Sequence, residues 1–99
     1  MVIRVLDYVK QCYTQEDGET IYSLINGNLK SGEKVILSFD GVEYVPSSFV
    51  NASLITLLDE MPFDAIRSRL SFVDTTKQIN EMIKTRFAFE TNRRSHAVA

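Results

Sequence analysis

Residues 35–49 read VILSFDGVEYVPSSF, and this stretch decides the fold. Its first five residues are nearly all apolar and favour a strand covered on both faces, which places that strand at the centre of a sheet. A turn at Asp40-Gly41 follows, and residues 42–45 reach Pro46 so soon that we interpret them as a connector. A helix is then predicted to begin at Ser47 or Ser48, with either serine as its N-cap. The stretch therefore places the adjacent hydroxyls of Ser47 and Ser48 at a helix start that follows a buried strand.

Apolar residues recur at helical spacing after this start. They are Val50, Leu54, Leu57, Leu58 and Met61. Because a proline disfavours helical geometry in the residue before it, we expect this helix to close at residues 60–62. The pattern predicts one continuous helix with a single buried stripe.

Two more helices and two more strands flank this centre. Residues 2–6 and 70–73 are short apolar runs typical of strands. An earlier helix, with Asp17 as its cap, is predicted to end at Ser31-Gly32, and a last helix opens at residues 74–76 with Thr75 and Gln78 at capping-box spacing. Their buried stripes are Ile21, Leu24, Ile25 and Leu29 in the earlier helix and Ile79, Met82, Ile83 and Phe87 in the last. The alternation predicts an α/β fold with a small mixed or parallel sheet of about four strands, packed with three or more helices.

A chain of 99 residues has room for one domain. We assign it to residues 1–90 and interpret the polar residues 91–99 as a C-terminal tail.

Composition argues against several classes of protein. The net charge is −2 with both signs interspersed, so we expect no nucleic-acid partner. Cys12 is the only cysteine, which fits a reducing cytoplasm. No apolar span or leader pattern predicts a membrane segment or secretion. The carboxylates at Asp40, Glu43 and residues 59–60 match no metal-ligand spacing, and no glycine-rich phosphate loop is present, so we expect no metal, no cofactor and no enzymatic activity.

The strand, turn and Ser47-Ser48-Phe49 helix start resemble STAS domains, and more closely the STAS-like family of small bacterial proteins. The resemblance extends from about Gly18 to Phe87 and includes residues 32–34 before the buried strand and the strand at 70–73. Antagonist members of the STAS group carry aspartate and glycine where this chain has Pro46 and Phe49. The Ser-Ser-Phe form is similar to the STAS-like branch, whose members often accompany ATPase or kinase-like proteins.

This resemblance implies a non-enzymatic regulatory module that binds a cytoplasmic ATP-binding kinase or ATPase. STAS antagonists of anti-sigma factors are phosphorylated on a serine at this helix start, which makes Ser47, with Ser48 beside it, the candidate phosphoacceptor. The residues expected to bind the partner are Asp40, Gly41, Pro46, Ser47, Ser48, Phe49 and Asn51.

Several alternatives remain open from the residues alone. The two serines either cap the helix or provide a hydroxyl for phosphorylation or partner contact. Phe49 is either a core anchor or an exposed aromatic that fills a pocket on the partner, and Asn51 is either solvated or bonded to the partner. A second function, from another class, is a sensor of a small ligand or nucleotide that uses the helix N-terminus as an anion site.

Overall fold

A computed structural model of the chain describes residues 1–97 and has the predicted α/β architecture. Within these residues the strands are β1 (Val2–Arg4), β2 (Val35–Ser38) and β3 (Leu70–Val73). The helices are α1 (Gln15–Lys30), α2 (Ser47–Ser53), α3 (Phe63–Arg69) and α4 (Lys77–Ala97), with 3-10 turns at Val5–Asp7 and Ile55–Asp59. No helix of this part of the chain combines the length and apolar character needed to cross a bilayer.

The sheet is parallel throughout, in the order β1-β2-β3. Val2 lies opposite Ile36, and Val35 lies opposite Leu70. The central position of β2 is confirmed, and its side chains are buried or half-buried along the whole strand. The sheet of residues 1–97 has three strands rather than about four. Residues 42–45 form a connector, as predicted, and add no strand.

The predicted long second helix is divided in two. Helix α2 ends at Ser53, and the chain continues through Leu54 into a 3-10 turn. The hydroxyl of Thr56 donates to the Asn51 carbonyl oxygen at 3.0 Å, where a continuing α-helix would place the amide of Ile55. The β-branched pair Ile55-Thr56 also favours helix less than its neighbours do. The apolar stripe is nevertheless buried or half-buried as expected, so the burial prediction is confirmed although the continuous helix is wrong.

Helix α3 was not predicted. It begins directly after Pro62, with Asp64 in its first turn and Arg67 and Arg69 in its last. Proline before a helix, an acid at its start and bases at its end are recognisable signals in the sequence. Pro62 therefore opens a helix as well as closing the preceding segment.

The N-cap of α1 is Thr14 rather than Asp17. The Thr14 hydroxyl accepts from the Asp17 amide at 3.1 Å, and the Asp17 carboxylate accepts from the Thr14 amide at 3.2 Å. This is a reciprocal capping box, in which the acid is the third helical residue. Asp17 therefore takes part in the cap, but the helix begins three residues earlier than a cap at Asp17 requires.

The segment predicted as a polar tail continues α4 as far as Ala97. Arg93 donates to the Glu90 carboxylate at 2.8 Å, and Arg94 donates to Asp59 at 2.8 Å. The hydrogen bond from Arg93 lowers the pKa of Glu90, whose side chain is almost buried. The Arg93–Glu90 pair lies within α4, whereas the Arg94–Asp59 pair attaches the last turns of α4 to the turn after α2. The final two residues of the predicted tail, 98 and 99, lie outside the described residues.

Helices α1 and α2 are in close contact at Gly18. A Cβ built on this residue lies 2.6 Å from the Phe49 carbonyl oxygen and 2.8 Å from the Ala52 Cβ. The first of these atoms belongs to backbone, which cannot move aside without shifting α2. Gly18 therefore sets the distance between the two helices and the position of the Ser47-Ser48 start.

We expect Gly18→Ala to lower the free energy of unfolding by about 1–3 kcal/mol, since overpacking outweighs the better helix propensity of alanine. Gly27→Ala is the matched control, because no atom lies within 4 Å of a Cβ at Gly27 in the same helix. This variant should gain about 0.5–1 kcal/mol. Urea denaturation of wild type and both variants measures these changes in the free energy of unfolding. Equal or increased stability of Gly18→Ala would show that the helices are not held at contact distance.

Candidate functional site

The loops that carry the predicted site gather at one edge of the sheet. All three strands are parallel, so their carboxyl ends share this edge. Here β1 leads into residues 5–14, β2 leads into residues 39–46, and β3 leads into Asp74. Binding sites of open parallel sheets commonly lie beyond the carboxyl ends of the strands. We call this region the carboxyl edge.

The Asp40-Gly41 turn is fixed by Arg4, the last residue of β1. The Arg4 Nε donates to Asp40 Oδ2 at 3.2 Å, and its Nη1 donates to Asp7 Oδ1 at 3.1 Å. The hydrogen bond to Asp7, followed by that to Asp40, raises the pKa of Arg4, which stays charged. Gly41 has φ of +85°, and a Cβ there would lie 2.9 Å from Leu6 Cδ1. The turn thus needs glycine for its positive φ, whereas the flexible end of the Leu6 side chain can shift to relieve the contact.

Ser38 and Asp74 join the ends of β2 and β3. The buried Ser38 hydroxyl donates to Asp74 Oδ2 at 2.7 Å and accepts from the Asp40 amide at 3.3 Å. Asp74 itself has φ of +56°, a left-handed conformation that aspartate tolerates better than most residues. This chain of bonds ties the Asp40 turn to both outer strands.

The start of α4 holds the connector between β2 and α2. The Gln78 side chain accepts from the Val45 amide at 3.0 Å and donates to the Val45 carbonyl at 2.8 Å. The Thr76 hydroxyl donates to the Glu43 carbonyl and accepts from the Ile79 amide at 3.2 Å. Thr76, rather than Thr75, therefore makes the capping bond of α4. The Gln78 side chain bonds to Val45 of the connector and does not complete a capping box with Thr75.

Pro46, and neither serine, is the N-cap of α2. Ser47 and Ser48 are the first two helical residues, their side chains are exposed, and no side-chain capping bond is made at this helix start. The expectation that a serine caps this helix is wrong. Proline fits the position because its fixed φ suits the entry to a helix and its missing N–H leaves no donor unpaired. Ser48 also lines a shallow groove between Gln15 and Asn51.

Phe49 and Asn51 are engaged within the chain. The Phe49 side chain is fully buried, and its carbonyl accepts from the Ser53 hydroxyl at 2.7 Å. Its ring is the core anchor of the helix entry and does not belong to the exposed surface. The side-chain oxygen of Asn51 accepts from Arg86 Nε at 2.8 Å, which links α2 to α4.

Exposed tyrosines surround the carboxyl edge, and the sequence prediction did not include them. Tyr8, Tyr13 and Tyr44 are each about half exposed, and all three lie in the loops that leave β1 and β2. Tyr13 shares a cavity of about 170 Å³ with Gly41 and with other residues of the two loops. The sequence contained a signal for their exposure, since tyrosines in otherwise polar loops are poor candidates for the core.

The chemistry available at this edge is limited. Among residues 1–97 no three His, Cys, Asp or Glu side chains converge as a metal site requires. Burial, and secondarily the charge of Asp17, raises the pKa of the Cys12 thiol to about 12, so it carries almost no thiolate at neutral pH. Helix α2 has only seven residues, and a dipole so short is a weak reason to expect a bound nucleotide.

Gln78→Ala should lower the free energy of unfolding by about 1–3 kcal/mol, because it leaves both polar backbone groups of Val45 without their partner. Gln11→Ala, in an exposed loop position, should change it by less than about 0.5 kcal/mol. Urea denaturation measures stability, and hydrogen exchange at the Val45 amide reports the connector directly. Unchanged exchange in Gln78→Ala would mean that α4 does not hold this loop.

The Cys12 thiol should react slowly with Ellman's reagent at pH 8. A shift of the pKa from 9.0 to about 12 reduces the thiolate fraction strongly, so we expect the native rate to be at least about a hundredfold below that of the unfolded chain. Stopped-flow absorbance in buffer and in guanidinium chloride compares the two rates, with Cys12→Ser as the blank. A native rate within about tenfold of the unfolded rate would contradict burial of this thiol.

Comparison with known families gives one match. A family model described as a STAS-like domain of unknown function (DUF4325) matches residues 17–80, which include most of α1, then β2, α2, α3, β3 and the start of α4. Searches of the curated proteins and of the solved structures give no significant match.

Proposed function

The chain belongs to the STAS-like domain family, and from this premise we propose that it is a non-enzymatic regulatory module that binds a cytoplasmic ATP-binding kinase or ATPase. The proposed contact surface is the carboxyl edge together with the start of α2. It is formed by Asp40, Gly41, Pro46, Ser47 and Ser48, with Tyr13 and Tyr44 beside them. Phosphorylation of Ser47 is proposed to switch the contact off.

The observation that carries this proposal is the state of the two serines. Both are exposed on the first turn of α2, and the helix start does not use them as caps. A hydroxyl that capped the helix would have to break that bond before it could be modified or could bind a partner. Ser47 and Ser48 are free of this structural task and are accessible to another protein.

The surroundings of the serines suit a protein contact. The connector that leads to them is held by Gln78 and Thr76, and the preceding turn is held by Arg4. A surface fixed in this way loses little conformational entropy when it binds. Tyrosines are enriched among the residues that dominate binding energy at protein interfaces, and Tyr44 lies on the connector itself.

A phosphate on Ser47 would be tolerated by the fold and opposed by the interface. The first turn of α2 contains no acidic residue, and helix N-termini favour negative charge. The modification adds about −1.5 to −2 charge, which a partner surface built for a neutral hydroxyl leaves unpaired. The fold therefore persists while the complex is weakened.

The test is affinity capture from the native cytoplasm with wild type, Ser47→Asp and Ser47→Ala, followed by phosphopeptide mapping of the recovered wild-type protein. We expect wild type and Ser47→Ala to capture the same kinase-like or ATPase protein. We expect Ser47→Asp to bind it at least about tenfold more weakly, because an introduced charge must be desolvated without a counter-ion. Titration of the purified partner by calorimetry then gives the affinities.

Ser23→Asp is the matched control, since it adds the same charge at an exposed serine in the middle of α1. It should bind as wild type does. Equal binding by Ser47→Asp and wild type would refute the switch, and capture of no ATP-binding protein by wild type would refute the proposed partner class. Ser48→Asp, assayed in parallel, shows which of the two hydroxyls lies at the contact.

A further inference from the structure

A cavity of about 570 Å³ lies between α3, β3 and α4, away from the carboxyl edge. We call it the α3–α4 cavity. Its apolar lining includes four buried side chains, Ile66, Leu70, Ile83 and Phe87. Phe63 packs against Phe87 with ring centroids 5.2 Å apart. The volume falls in the range of about 300–1,000 Å³ that is typical of small-molecule sites, and the lining is apolar as in such sites.

The charged residues of this lining are all of one sign. They are Arg67 and Lys84, and no aspartate or glutamate lines the cavity, although the chain as a whole carries a net charge of −2. Arg67 has only a weak partner, since its contact to Asp64 is 3.4 Å long and both side chains are largely exposed. Lys84 makes no ion pair within residues 1–97. The cavity therefore offers an apolar wall and two cations whose charge is little compensated.

We propose that the α3–α4 cavity binds a free amphipathic carboxylate, with an alkyl or aryl body against the apolar wall and its carboxylate near Arg67 and Lys84. The volume equals that of about twenty water molecules at liquid density, which is enough for a chain of medium length. Burial of the body supplies most of the affinity, and the two cations select the sign of the head group. This site is independent of the proposed partner surface, because the two share no residue.

The first test uses decanoate as the probe, at concentrations below its micelle range, with the full-length chain. We expect a saturable increase in melting temperature, since a ligand that binds the folded state stabilises it. In methyl NMR spectra, we expect the signals of Ile66 and Ile83 to shift with the same saturation curve. The signals of Ile21 and Ile25, which belong to the core beneath α1, should stay in place. Absence of saturable shifts at Ile66 and Ile83 would overturn the proposal.

Two probes of the same chain length test the head group. Decanol should bind several-fold more weakly than decanoate, and decyltrimethylammonium more weakly still, because only the carboxylate is attracted by the two cations. Added salt should reduce the difference between the three probes. Equal binding of all three would refute the selection of an anion.

Variants locate the site. Lys84→Glu reverses an exposed charge of the lining and should weaken decanoate binding about tenfold, whereas Ala88→Phe should obstruct the cavity and abolish the methyl shifts. Both substitutions are at exposed positions of α4, and circular dichroism confirms that each variant is folded. Lys34→Glu, a charge reversal outside the lining, is the control and should bind as wild type does. Wild-type affinity in both Lys84→Glu and Ala88→Phe would show that decanoate binds elsewhere and would overturn the assignment.

Discussion

The contact between α1 and α2 at Gly18 determines where the candidate site lies. Because Gly18 has no side chain, the backbone of α1 packs directly against the Phe49 carbonyl and the Ala52 methyl group. Phe49 then inserts its ring into the core from the same turn that exposes Ser47 and Ser48. One face of the first turn of α2 is thus fixed by close packing, and the opposite face is left to solvent.

The remainder of the site is held by hydrogen bonds between segments distant in sequence. Arg4 holds the turn after β2 from one side, and Ser38 connects it to Asp74 on the other. Gln78 satisfies both backbone groups of Val45 as a neighbouring strand would, although no strand lies there. A connector without regular structure therefore has its polar groups paired and its position set, which explains how an irregular segment can lie beside a buried core.

The sequence predicted the features that depend on local pattern. The nearly all-apolar run of β2 predicted its central position, and helical spacing predicted the buried faces of α1 and α4 because burial follows periodicity closely. Caps were misplaced by one to three residues, as at Asp17 and Thr75, because several neighbouring polar residues can each accept the same backbone bond. The role of Gln78 could not be predicted, since it depends on a tertiary contact with Val45. For the same reason the sequence pattern alone does not distinguish Pro46 from the two serines as the N-cap of α2.

The parallel sheet has a consequence for the order in which the molecule is assembled. Each strand pair joins segments more than thirty residues apart, with Val2 opposite Ile36 and Val35 opposite Leu70. Helix α1 can form from contacts within one segment, but each strand pairing must close a long loop, and topologies rich in such contacts fold slowly. The bonds from Arg4 to Asp40 and from Ser38 to Asp74 are both present only when both pairings exist. A nascent chain still lacking β3 therefore has no intact carboxyl edge, and completion of the sheet is the step that assembles this edge.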